Sequence, residues 1–241
     1  IDLTRQAIEV APIAHYHMGG IEVNESMETC VKGLFAAGEC VGGANGANRL
    51  SGNAIPEAFV FGEIAGTNAA NTISEPPHLS LQIGQNSLLN SLVELSLEPK
   101  QKSQFKTLTS RKLLFELQKL MWKNVGVLRS KQGLQMAIDE IRRMKNDIFP
   151  NLKPASGTVF NTSLMDWLDL RNSLLCAEAI CLAASERRES RGAHQMEDIP
   201  FKSDKFTKNQ IISMVDGNLV SRWQDVQKLK FDLEKPRRAK I

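Results

Sequence analysis

Apolar and polar positions divide the chain into two stretches of different rhythm. Residues 1–50 alternate short apolar runs with glycine turns. Within them Gly33-Leu34-Phe35-Ala36-Ala37-Gly38-Glu39 reads as a short buried strand ending in a tight turn. Gly42 to Asn53 is a glycine- and asparagine-rich loop that no regular element can accommodate. A helix is predicted from about Ala54 to about Asn71, with Phe59 and Ile64 on it and Pro56 in its first turn, where a missing N–H costs nothing. Its small residues Gly62, Ala65, Gly66, Ala69 and Ala70 would let another backbone approach closely. Pro76-Pro77 marks a break.

The second stretch is helical. Leu81–Leu97 carries Leu88, Leu89, Leu92, Val93 and Leu95 and ends before Pro99. Lys102–Lys123 places Phe105, Leu108, Leu113, Leu117, Leu120 and Met121 near a 3.6-residue period. Ser130 is a predicted N-cap for a third helix with Leu134, Ile138, Ile141 and Ile148, stopped by Pro150. Asn161 or Thr162 caps a long fourth helix to about Arg188, with Leu164, Leu168, Leu175 and Ile180 inward. Amphipathic helices at this spacing pack antiparallel as a bundle, so the apolar stripe is core. Beyond Gly192, the runs Phe206–Gln210, Ile211–Val215 and Leu219–Trp223 have no clear assignment, although a Gly217-Asn218 turn suggests a hairpin.

Composition adds one point to this picture. The 241 residues are 42% hydrophobic and 24% charged, close to a globular average, which excludes wholesale disorder, collagen and a disulfide scaffold. No apolar run reaches the ~18 residues of a membrane span. A net charge of +3 is too weak to argue for nucleic acid. Glycine, however, is unevenly placed: ten of the sixteen lie between Gly19 and Gly66. Cys30, Cys40, Cys176 and Cys181 form no C-x-x-C pair and read as buried reduced thiols, with no metal site. The first residues lack an apolar signal segment and an initiator Met, as in a processed product or a part of a longer polypeptide. The tail from Lys228 to Lys240 is basic and reads as a solvated terminus, or as a surface for a partner.

Three segments carry candidate chemistry. In His15-Tyr16-His17-Met18-Gly19-Gly20, a histidine stands just before a glycine pair, where backbone can approach a ligand closely. Glu39 follows a glycine turn, a common way to present a carboxylate to the two hydroxyls of a ribose. In Gly46-Ala47-Asn48-Arg49-Leu50-Ser51-Gly52-Asn53-Ala54-Ile55, a held arginine suits a forked grip on a carboxylate. The start of a predicted helix comes directly after it, with free N–H groups and a preference for negative charge. Asn48 and Asn53 read as residues that pin the loop.

Together, in this order and spacing, the three segments resemble the flavoprotein subunits of fumarate reductase and succinate dehydrogenase, with L-aspartate oxidase as a relative. Ala14 to Ile21 is similar to the family's H-Y-x-M-G-G-I segment, Gly33 to Cys40 to its G-L-[FY]-A-x-G-E-C stretch, and Gly46 to Ile55 to its G-A-N-R-L-x-x-N-[SA]-[LI] loop. Val159-Phe160-Asn161-Thr162 and Glu189-Ser190-Arg191-Gly192-Ala193-His194 resemble landmarks of its C-terminal helical domain. The likeness covers roughly residues 8–200, and the R-G-A-H ending favours the fumarate/succinate branch over aspartate oxidase.

The resemblance implies a hydride moved between FAD and a four-carbon dicarboxylate. By similarity His15 and Arg49 would each hold a substrate carboxylate, Glu39 would bind the FAD ribose, and Asn53, Ala54 and Ile55 would sit against the isoalloxazine. It also implies an α+β architecture. Residues 1–75 would be the C-terminal edge of an α/β FAD-binding domain, with the end of a capping domain. Residues 76–195 would be a helical bundle, and 196–241 a tail with some strand. No G-x-G-x-x-G is present. The resemblance implies that the pyrophosphate-binding turn and the proton-donating arginine lie upstream, with no catalytic proton donor in this chain. Such a piece should hold FAD weakly and be inactive alone. Its implied partners are the upstream half of the flavoprotein, an iron–sulfur subunit and fumarate or succinate. Its implied place is cytoplasmic, touching a membrane only through partner subunits. Most relatives carry a histidine where this chain has Asn45, which keeps a hydrogen-bonding amide and loses a titratable group. The alternatives are an L-aspartate oxidase-like fragment, or a non-catalytic helical docking module that retains site residues.

Overall fold

The structure is a computed structural model that describes residues 2–9, 15–72, 108–155 and 159–226. The chain divides into two compact units, Ile1–His78 and Leu79–Ile241.

In the first unit, two extended segments lie side by side and a helix closes the sequence. Ile21 and Val41 form a parallel bridge, with Ile21 N–H donating to the Cys40 carbonyl at 2.7 Å and Gly42 N–H returning to the Ile21 carbonyl at 3.0 Å. A short 3-10 turn spans Gly38–Cys40 and packs against α1, Ala54–Thr72. A Cβ on buried Gly38 would rest 3.9 Å from Ala58 of α1. Seven of the ten clustered glycines adopt positive φ, so their density reflects backbone conformations that other residues rarely take.

Two expectations are corrected here. Gly33–Glu39 is not a strand: only Phe35 bridges, to Glu28, and Leu34 is exposed. The pairing with residues 27–29 stops at that one bridge, flanked by Thr29 N–H to the Leu34 carbonyl and Ala36 N–H to the Met27 carbonyl, which is too short for a strand. Gly62 and Gly66 have nothing within 4 Å of where a Cβ would stand, so among the described residues no backbone uses their smallness.

The second unit is built on three mutually packed helices: α2 (Ser110–Val125), α3 (Lys131–Arg143) and α4 (Thr162–Glu186). Each begins at a side-chain cap. Thr109 accepts from Lys112 N–H, Ser130 from Gly133 N–H and Asn161 from Leu164 N–H. A single wide turn, Met144–Ile148, and a 3-10 turn, Phe149–Asn151, carry α3 out. The core is Leu113, Leu117, Leu134, Ala137, Ile141, Leu170, Leu174 and Cys181, with Trp167 at its edge. The Trp167 indole donates to the Leu152 carbonyl at 2.9 Å and stacks on Phe149. Fully burying each Leu or Ile contributes about 1.5–3 kcal/mol.

The inward face of α4 differs from the expected one. Trp167, Leu170, Leu174, Ala177, Cys181 and Ala184 are buried, whereas Leu175 is 40% exposed. The cysteines also depart from expectation, since Cys30, Cys40 and Cys176 are exposed and only Cys181 is buried. The expected helix over Leu81–Leu97 and the start of the next one at Lys102 lie outside the described residues, as does the basic tail.

Two small β elements complete the unit. Strand β1 (Leu128–Arg129) pairs in parallel with β2 (Gln195–Met196). Strands β3 (Lys208–Val215) and β4 (Asn218–Asp225) form an antiparallel hairpin. Its two-residue turn is Asp216-Gly217, both at positive φ, one residue earlier than the Gly217-Asn218 expected. Asp-Gly is a favoured pair for that turn because its twist matches the strands. Arg187, just past α4, ties the hairpin down. Its guanidinium donates to the Phe206 and Lys208 carbonyls and lies over the Trp223 ring.

Candidate functional site

The first unit gathers the residues that the sequence marks. Arg49 projects from the loop before α1, and its guanidinium lies 4.5 Å from the centroid of the Tyr16 ring. The Tyr16 hydroxyl donates to Glu57 Oε2 at 2.6 Å, and Asn45 Nδ2 donates to the same oxygen at 2.7 Å. The hydrogen bond to Glu57 raises the Tyr16 pKa above the ordinary phenol value, and desolvation and the Glu57 charge push the same way. Three separate segments therefore converge: His15–Gly20, the Asn45–Arg49 loop and the first turn of α1.

Arg49 is held without being neutralised. Its Nη1 donates to the Leu50 carbonyl at 3.1 Å, its Nε is buried without a partner, and among the described residues no carboxylate lies within ion-pair reach. A cation in this state can still grip an anion. His15 is exposed, one residue before the ring that carries Arg49.

Glu39 is exposed in the middle of the 3-10 turn, and its Oε1 accepts from His17 N–H at 2.8 Å. That bond fixes the carboxylate beside the histidine segment and leaves Oε2 for a ligand. Asn53 precedes α1. Its N–H donates to Leu50 and its carbonyl accepts from Glu57 N–H, so it pins the loop through its backbone. The first turn of a helix has no internal acceptors for its N–H groups, and Pro56 has none to offer, so Ala54 and Ile55 present theirs outward. Ile55 is 68% exposed, an apolar wall beside them.

These features suit FAD in part. An exposed apolar wall at a helix start and a pinned carboxylate fit a flavin edge and a ribose diol. No group of three or more His, Cys, Asp or Glu able to hold a metal ion occurs among the described residues. Glu57 escaped the sequence reading. It is buried at 6% exposure on a helix whose apolar Phe59 and Val60 are exposed, an inversion that periodicity cannot reveal. An acid in the first turn of α1 was the one available signal.

Comparisons with known proteins identify the family. The family described as fumarate reductase flavoprotein C-term matches residues 115–238, and the FAD-binding domain family matches residues 1–55. The chain belongs to the fumarate reductase/succinate dehydrogenase flavoprotein family, FAD-dependent oxidoreductases. The 8-methylmenaquinol:fumarate reductase flavoprotein subunit of Wolinella succinogenes is 36% identical over 97% of this chain and 39% of its own length. An uncharacterized FAD-dependent oxidoreductase of Methanocaldococcus jannaschii is 34% identical over 88% of this chain and 37% of its own length. The Mycobacterium smegmatis Sdh1 complex in its apo form contains a chain of similar structure, with a TM-score of 0.80, 34% identity, and coverage of 95% of this chain and 39% of that one. The chain thus spans well under half the length of the relatives it matches. No helix among the described residues is long and apolar enough to cross a membrane.

Proposed function

We propose that this chain forms the C-terminal part of a flavoprotein that interconverts fumarate and succinate. The observation that carries the reading is Arg49, a cation supported by an aromatic face and, among the described residues, unpaired with any carboxylate, next to an exposed histidine segment. His15 and Arg49 each hold one carboxylate of the dicarboxylate, which orients its carbon–carbon bond and stabilises charge that builds on it during transfer. Bound FAD supplies the ring that donates or accepts the hydride. Glu39 holds its ribose, and Asn53, Ala54 and Ile55 hold its isoalloxazine edge with N–H groups and an apolar wall.

The activity belongs to the longer flavoprotein, and the stretch alone binds FAD weakly and does not turn over. Residues 1–75 belong to its FAD-binding domain, 76–195 to its helical domain and 196–241 to its tail. The names of the relatives as subunits and complexes support a docked arrangement, here on an iron–sulfur subunit that links the flavoprotein to a membrane face.

The test is flavin-linked conversion of fumarate and succinate by the FAD-loaded flavoprotein that carries this chain, and by the chain alone. The parent turns over, the chain alone does not, and Arg49→Ala lowers kcat/KM by about a hundredfold or more, as expected for losing a charge-assisted bidentate grip. An Arg49→Ala protein as active as the parent removes the role of that residue. Oxidation of L-aspartate in place of succinate moves the chain to the aspartate oxidase branch.

A further inference from the structure

We infer that Glu57, acting through Tyr16, is a positioning residue that holds the Arg49 guanidinium in its carboxylate-binding place. This rests on the reading of Arg49 as a carboxylate clamp and adds what holds the clamp.

Glu57 is a carboxylate with 6% exposure in a unit that buries few side chains. Burying a charge is costly unless hydrogen bonds compensate it. Two converge on Oε2, from Tyr16 and from Asn45, while Oε1 is buried without a partner, and its place in the first turn of α1 also favours negative charge. Both donors come from other segments. The Tyr16 side chain has only two rotatable bonds to its ring, so anchoring its hydroxyl at 2.6 Å fixes the ring plane. The ring plane is the support on which Arg49 lies.

This manner of support has a chemical reason. A carboxylate paired directly with Arg49 would hold it equally well but would compete with the substrate for the same forked donors. An aromatic face attracts the cation and leaves its N–H edge free. The Glu57 charge is instead engaged at the phenol end of Tyr16 and at Asn45. The Nε of Arg49 is buried and makes no hydrogen bond, so no carboxylate of the described residues satisfies this donor. Because Glu57 stands on the helix whose start carries Asn53, Ala54 and Ile55, the same bonds tie the clamp to α1.

The experiment uses the FAD-loaded flavoprotein that carries this chain, with malonate as a non-reacting dicarboxylate followed through the flavin absorbance, and KM and kcat for fumarate alongside. Tyr16→Leu removes the ring, Tyr16→Phe removes only its anchor, and Glu57→Gln removes the charge that anchors it. Tyr16→Leu is expected to weaken malonate binding by roughly two- to thirtyfold, the range of a cation–π contact, with KM rising more than kcat falls. Tyr16→Phe and Glu57→Gln are expected to shift binding the same way by less. In an Arg49→Ala background, adding Tyr16→Leu causes no further loss, because the two residues act as one unit.

Parent-like malonate binding in all three variants, with Arg49→Ala still defective, overturns the positioning role and leaves the clamp standing. Parent-like binding in Arg49→Ala overturns the clamp itself, and this inference with it. An equal loss from Tyr16→Leu with and without Arg49 overturns the coupling. Should Tyr16→Leu fail to hold FAD, Tyr16→Phe and Glu57→Gln decide by the same comparison.

Discussion

His194 Nδ1 lies 2.6 Å from Nη1 of Arg129. A guanidinium nitrogen can only donate, so Nδ1 accepts and carries no proton. The other ring nitrogen, Nε2, sits 2.9 Å from the Arg187 carbonyl and therefore donates. The ring is thus neutral and of one tautomer, buried between two cations. Pairing of β1 with β2 brings these residues together from 65 positions apart in the sequence.

Acid is expected to loosen the helical unit through this contact. Burial lowers the His194 pKa below its ordinary 6.5, helped by the charges on Arg129 and Arg187 and opposed by the Arg187 carbonyl and Glu189. The unfolded chain therefore binds the proton first. The stabilisation is full above pH 6.5 and is lost as pH falls through the lower folded value. Urea midpoints measured from about pH 7.5 down to about pH 5 should fall, and His194→Gln, which cannot charge, should flatten that fall. An equally steep fall in the variant would assign the acid sensitivity to other groups.

Glu189 makes a second, lower window. Its carboxylate is fully buried, which alone would raise its pKa, but bonds from Arg191, Ser203 N–H and Arg187 outweigh burial and hold it below the usual range. Its contribution is present above 4.5, the ordinary value, and is lost as pH falls through the depressed one. Glu189→Gln leaves two half-buried guanidinium groups without their anion. It is expected to cost roughly 2–4 kcal/mol of unfolding free energy by denaturant titration at neutral pH.

The helices of the second unit were legible because their apolar residues recur near every 3.6 positions and because Ser130 and Asn161 are good caps. The face of α4 was not legible. Leu164, Leu168, Leu175, Ile180 and Cys181 surround the helix, and only its neighbours decide that Leu174 goes in while Leu175 stays out. The site was legible as far as local motifs reach, which gave Arg49, His15 and Glu39. What holds Arg49 was not, since Tyr16 and Glu57 are 41 residues apart and their bond is a product of the fold. The Gly33–Glu39 segment misled because its short apolar run resembles a buried strand, whereas its pairing with residues 27–29 is a single bridge and Leu34 is exposed.

The four thiols should separate cleanly. Cys181 is buried against Met121 and its pKa is pushed up to about 11 by burial, so it is neither accessible nor ionised at neutral pH. Cys30, Cys40 and Cys176 are exposed. Titration of the native chain with a disulfide reagent at neutral pH should modify three thiols rapidly, and the fourth only after denaturant is added. Mass mapping should place the protected one at Cys181. A fourth thiol reacting at the rate of the others would show that α4 opens readily.

Gly20 should tolerate no side chain. Its φ is +153°, and a Cβ there would lie 2.3 Å from the Cys40 carbonyl oxygen, far inside van der Waals contact. The obstacle is backbone on both sides, because a Cβ on Gly42 would in turn meet Gly20 N at 2.9 Å. Neither segment can swing away as a flexible side chain would. Relief of the clash requires the His15–Ile21 segment to part from Cys40–Gly42, which breaks the two bonds of Ile21 to Cys40 and Gly42. The same movement would carry Tyr16 from under Arg49 and His17 N–H from Glu39. Gly20→Ala is therefore expected to lower malonate affinity and FAD retention together in the FAD-loaded flavoprotein, while Gly19→Ala, with open space around its Cβ, does less damage despite its positive φ. Both ligands lost in Gly20→Ala and largely kept in Gly19→Ala would show that close backbone packing sets the site. Equal losses would point to backbone conformation alone.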